Sequence, residues 1–124
     1  MKHFRDYLTE AKETDIHIEG DLDAMNCKKL ESLGNLKSVY GDLYLTGCTA
    51  LKSLPENLYV SGRLVLTDCT ALTELPRGLN VGGALGINGC KSLKILANNM
   101  KIGYFIYGAS DKLKEKYKDK YIFK

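Results

Sequence analysis

Apolar and polar side chains alternate between Leu58 and Leu66: Leu58, Val60, Leu64 and Leu66 fall on one phase, and Tyr59, Ser61, Arg63 and Val65 on the other. A period of two predicts an extended segment with one face turned inward. Gly62 lies on the inward phase, where a glycine inside a strand pattern marks a bend or bulge. Another apolar run ends at a Leu-Pro step, Leu54-Pro55 and again Leu75-Pro76. Proline fixes φ and has no amide proton to give to a ladder, so this step is expected to turn the chain.

The pattern returns every 21 residues, in Asp42 to Gly62, Arg63 to Gly83 and Ala84 to Tyr104, with a degraded copy starting at Asp21. The apolar columns are Leu22, Leu43, Leu64, Leu85; Ala24, Leu45, Leu66, Ile87; Leu30, Leu51, Leu72, Leu93; Leu33, Leu54, Leu75, Leu96; and Val39, Val60, Val81, Ile102. A copy this short cannot bury its own apolar side, so each is expected to be one coil stacked on its neighbours around a continuous core. Four cysteines, Cys27, Cys48, Cys69 and Cys90, keep the same period.

The repeat resembles the leucine-rich-repeat family, through Leu43-x-Leu45-x-x-Cys48, Leu64-x-Leu66-x-x-Cys69 and Leu85-x-Ile87-x-x-Cys90, and is most similar to its short bacterial and phage variants with an LP step. The resemblance covers residues 16 to 107. It implies a mostly β, single-domain, right-handed solenoid over residues 14–107, with helical caps at both termini. The leucine after each cysteine follows at a spacing of three rather than two (Cys48 to Leu51, for example), so the convex side is expected to be extended or irregular rather than helical.

The cysteines invite a metal or disulfide reading, which the repeat argues against. Equivalent residues on adjacent coils lie about 4.8 Å apart, so the first and last cysteines would be roughly 14 Å apart. A single zinc ion with bonds of about 2.3 Å cannot span that. Side chains on one inward column run alongside one another rather than pointing together, which disfavours disulfides. The expectation is a ladder of buried free thiols bonding weakly to loop backbone, in a reducing compartment. His17, Glu19, Asp21 and Asp23 form an outward polar row, expected to be solvated; a cation held there would be the rival, enzymatic reading. No histidine lies at a fixed offset from the cysteines, and no phosphate-loop motif opens a helix. No catalytic residue, metal or cofactor is expected.

No run approaches the ~20 apolar residues of a membrane span, and the start, MKHFRDYLTEAKE, has no apolar signal-peptide region. The formal charge of +3 is unevenly placed. Glu10 to Asp23 holds six acids against Lys12, and Lys101 to Lys124 holds seven lysines against three acids. Ser110 and Asp111 predict a helix start, and Leu113, Tyr117 and Tyr121 an apolar stripe, so residues 108–124 are expected to cap the last coil. Residues 1–13 admit two readings. Phe4, Tyr7, Leu8 and Ala11 suit an amphipathic cap over the first coil. The same stretch resembles the capsid-targeting leader of T-even-like myovirus internal proteins, with Leu8-Thr9-Glu10 as the protease site and Ala11 as the new N-terminus.

Function is then expected on the surface. The outward columns are His17, Ser38, Tyr59, Asn80; Glu19, Tyr40, Ser61, Gly82; Asp21, Asp42, Arg63, Ala84; and Asp23, Tyr44, Val65, Gly86. Tyr40, Tyr44, Tyr59, Arg63 and Val65 cluster on the middle coils, and tyrosine and arginine are enriched among interface anchors. Beside them Gly82, Ala84 and Gly86 are expected to leave a bare strip. The expectation is a non-enzymatic protein-binding module of phage origin, in the virion or the bacterial host cytoplasm, monomeric or dimerised end to end, engaging a virion or host defence protein. The alternative partner is nucleic acid, met by the lysines of the C-terminal cap, Lys112, Lys116 and Lys120 among them.

Overall fold

A computed structural model of the chain describes residues 15–124. The predicted stacking appears as a β-solenoid of about four turns. Five successive pairs of short strands, one strand of each pair in each of two five-stranded parallel sheets, mark its course. The first sheet has the order β1 (Ile16–Glu19), β3 (Leu36–Tyr40), β5 (Tyr59–Val60), β7 (Asn80–Val81) and β9 (Lys101–Ile102). The second has β2 (Leu22–Asp23), β4 (Leu43–Tyr44), β6 (Leu64–Val65), β8 (Leu85–Gly86) and β10 (Ile106–Tyr107).

The pairing register follows the 21-residue period. Leu22 sits opposite Leu43, Leu43 opposite Leu64, Leu64 opposite Leu85, and Leu85 opposite Ile106. Ser38, Tyr59, Asn80 and Lys101 form the corresponding outward row of the first sheet. A one-residue slip would turn every leucine to solvent, which is why so short a ladder holds its register. The five apolar columns line one continuous core, with Leu30 and Ile102, at opposite ends of their columns, partly exposed. The alternating run at Leu58 to Leu66 is therefore two strands joined by a corner at Ser61, Gly62 and Arg63. The third side is an irregular return, pinned by single contacts such as Leu75 N to Ile95 O (2.9 Å), and the proline step turns it at Glu56 and Asn57.

Each coil turns again just before its cysteine, where Asn26, Gly47, Asp68 and Gly89 have φ of 61°, 78°, 61° and 74°. Asparagine, aspartate and glycine are the residues that tolerate this left-handed conformation. Their alternation has a steric cause: a Cβ at Gly47 would lie 2.3 Å from Asn26 Oδ1, and one at Gly89 would lie 2.1 Å from Asp68 Oδ1. A side chain from one coil thus occupies the space above the next coil's turn.

Of the helical cap expected over residues 108–124, one short helix over residues 111–117 is present, and Tyr121 of the expected stripe lies beyond it. Helix α1 (Asp111–Tyr117) starts at Ser110, whose Oγ accepts from Leu113 N at 3.2 Å. Leu113 and Tyr117 are buried against the last coil. The Tyr117 hydroxyl accepts from Leu96 N (3.0 Å), and the Tyr121 hydroxyl accepts from Met100 N (3.2 Å) while donating to Ala97 O. Beyond the helix, Ile122 and Lys124 bracket Ile106 with two backbone bonds, extending the second sheet by one rung. The anticipated N-terminal cap falls on residues 1–13, outside the described residues.

Candidate functional site

At the corner between the two sheets, a carboxylate on one coil holds the backbone of the next. Asp21 Oδ1 accepts from Asp42 N, and Asp42 Oδ1 accepts from Arg63 N, both at 2.7 Å. The series ends at Arg63, which turns back over the preceding coil. Its Nη2 donates to Asp42 Oδ2 at 3.2 Å and to the Tyr44 hydroxyl at 3.0 Å, and Tyr44 donates to Asp42 Oδ2 at 2.9 Å. The guanidinium carbon also lies 5.9 Å from the centre of the Tyr44 ring, within cation–π range.

These bonds shift proton equilibria in a consistent direction. The backbone bond from Arg63 is the main cause that holds the Asp42 carboxyl below its ordinary 3.8, and the bond to Asp42 raises the Tyr44 phenol above 10.0. Asp42 therefore stays ionised and Tyr44 protonated throughout the neutral range. Among the outward residues singled out from sequence, Tyr44 and Arg63 are in direct contact, and Val65 pairs in register with Tyr44. Asp42 completes the trio. The signal that reveals it is its place 21 residues before Arg63, directly after the corner glycine Gly41.

Tyr40 and Tyr59 make a second group on the first sheet, with ring centroids 5.7 Å apart and planes tilted by 56°. The five candidate residues thus form two clusters on two sheets that meet at a corner. The expected bare strip does not exist as such. Ala84 is buried, and the ring of Tyr107 covers Gly86, where a Cβ would come within 2.3 Å of it. Tyr107 is opposite Gly86 in the ladder, so the last coil's side chain fills the space that the glycine leaves.

The outward polar row of the first coil is engaged piece by piece. His17 Nδ1 shares a hydrogen bond with Ser38 Oγ, which buries Ser38, while Asp21 holds Asp42 N and Asp23 accepts from Met25 N at 3.0 Å. Among the described residues no three His, Cys, Asp or Glu side chains converge as a metal site would require.

All four cysteines are free. Cys48, Cys69 and Cys90 donate through Sγ to Ala24 O, Leu45 O and Leu66 O of the preceding coil, at 3.1, 3.2 and 3.0 Å. Leu45 O and Leu66 O also accept from the amides of Cys48 and Cys69, so each carbonyl serves two coils. Burial pushes the Cys69 thiol up to about 12 and Cys90 up to about 11, which keeps both protonated and unreactive near neutrality. The processing residues Leu8, Glu10 and Ala11 lie outside the described residues. Comparison with protein-family models, characterised proteins and solved structures finds no match to this chain.

Proposed function

We propose that the chain is a non-enzymatic protein-binding module of leucine-rich-repeat type and phage origin, engaging its partner through the corner of the second and third coils. The locking of Arg63, Tyr44 and Asp42 to one another carries this reading. Side chains fixed before binding lose less conformational freedom when a partner docks, and tyrosine and arginine are the types that dominate interface energies. The paired rings of Tyr40 and Tyr59 supply rigid aromatic area on the adjoining sheet. The partner is a virion or host defence protein. The leader resemblance of residues 1–10 supports a location in the particle or beside it in the host cytoplasm; in that case mass spectrometry of particles finds a peptide that starts at Ala11, and particles with only intact Met1 chains, or none, remove the packaging element.

The binding surface is tested by affinity capture from infected cells with the wild type and with Tyr44→Ala, Tyr59→Ala, Arg63→Ala together. All three positions are at least partly exposed, so the triple variant is expected to remain folded. The captured partner should bind it at least about 30-fold more weakly, as expected from losing a hot spot of about 2 kcal/mol. The same partners captured with equal affinity by both chains would refute the site.

A further inference from the structure

The lysines of the C-terminal region do not form one patch. Lys120 lines a hollow with Asn80, Lys101 and Tyr104, whereas Lys112 and Lys116 face a different groove of about 410 Å³ between the last coil and α1. Two lysines distant in sequence, Lys91 and Lys94, line its other wall, and Leu93 and Leu113 lie at its base. The backbone that carries them is held in place: Lys91 N donates to Gly89 O (2.9 Å), Lys94 N donates to Thr73 O (3.0 Å), and α1 is fixed by its Ser110 cap. All four lysines are exposed, and among the described residues none of the four has an acidic partner in an ion pair. Lys116 lies 5.4 Å from the Tyr117 ring centre. One acid, Glu74, lines the adjoining hollow with Lys91 and Lys94.

We propose that this groove grips the phosphate backbone of double-stranded nucleic acid without regard to sequence, through Lys91, Lys94, Lys112 and Lys116. A protein partner is the poorer fit, because interface cores are depleted in lysine and built on aromatic and arginine anchors, none of which lines the groove. The ammonium group is a compact point charge suited to phosphate. With no exposed ring at the groove, unpaired bases have nothing to stack on, which favours the duplex over a single strand. Nor does an arginine fork or a side-chain amide line the groove, and phosphate contacts by lysine carry no sequence information. The groove shares no lining residue with the tyrosine corner.

Fluorescence anisotropy with a labelled duplex of about 20 base pairs, titrated from low to physiological salt, is the test. Four phosphate contacts predict that log Kobs falls with log salt at a slope of about −3.6. Changing Lys91, Lys94, Lys112 and Lys116 together to Gln should bring the slope close to zero and leave thermal stability unchanged. Lys28→Gln, Lys29→Gln, Lys37→Gln, made together on the first two coils, should leave it intact. No binding at low salt, equal losses in the two multiple variants, tighter binding to the single strand, or equal displacement by polyglutamate of matched charge would each overturn the proposal.

Discussion

Tyr117→Phe is expected to lower stability by about 1–3 kcal/mol, and Tyr117→Ala by about 3–5 kcal/mol. In the middle of the solenoid, the amide of Leu75 is satisfied by a carbonyl of the following coil, Ile95 O. Leu96, the equivalent residue one coil on, has no such carbonyl above it, and the Tyr117 hydroxyl takes that place. Removing the oxygen leaves a buried amide unpaired, at the cost of its desolvation. Removing the ring as well takes away a side chain that is only 7% exposed and leaves a cavity in the end of the core. Tyr121→Phe removes two bonds, the one from Met100 N and the one to Ala97 O, but at a half-buried position where water can replace part of them, so it should cost a comparable amount, about 1–3 kcal/mol.

Urea denaturation gives the totals, and amide exchange gives the location. A stacked repeat can fray from one end, so Leu96 N should exchange faster in Tyr117→Phe while Leu45 N in the second coil, bonded to Val65 O at 2.8 Å, keeps its protection. Stability within a few tenths of a kcal/mol of wild type, together with unchanged exchange at Leu96, would show that the hydroxyl does not close the rod.

The features legible in the sequence are those that each coil repeats. The leucine columns and the cysteine ladder recur with the same chemistry, so their inward orientation and their register could be derived from the period alone, and the register of Leu22, Leu43, Leu64 and Leu85 follows it. The turn before each cysteine was also written there, as a column that contains only Asn, Gly and Asp, though leucine spacing gives no hint of it. Other features depend on contacts made by one coil only. Arg63 ends the Asp21 and Asp42 series by folding back, and Tyr107 covers Gly86; a column compares residue types but not the direction in which one side chain leans. The lysine groove joins residues about twenty positions apart on different elements, and so separates Lys120 from the lysines beside it in sequence.

The corner column Tyr40, Ser61, Gly82, Gly103 leads to the other large expected effect. Tyrosine and serine are accommodated in the second and third coils, so the column reads as an ordinary outward position. In the fourth and fifth coils the backbones come closer: a Cβ at Gly82 would lie 2.2 Å from Ser61 O, and one at Gly103 would lie 1.8 Å from Gly82 O. The obstacle is a carbonyl of the main chain, which cannot rotate away as a side chain would, and Gly82 N is tied to Val60 O at 2.8 Å. Gly82→Ala must therefore displace a strand end or lose that bond, and is expected to cost about 1–3 kcal/mol or somewhat more. Ser61→Ala in the same column should stay within about 0.5 kcal/mol of wild type. The displacement would fall between Tyr59 and Arg63, so Gly82→Ala should also weaken partner capture, although it removes no contacting side chain. Equal urea midpoints for Gly82→Ala and Ser61→Ala would mean that the corner yields freely, and the rigidity on which the proposed binding surface depends would be lost with it.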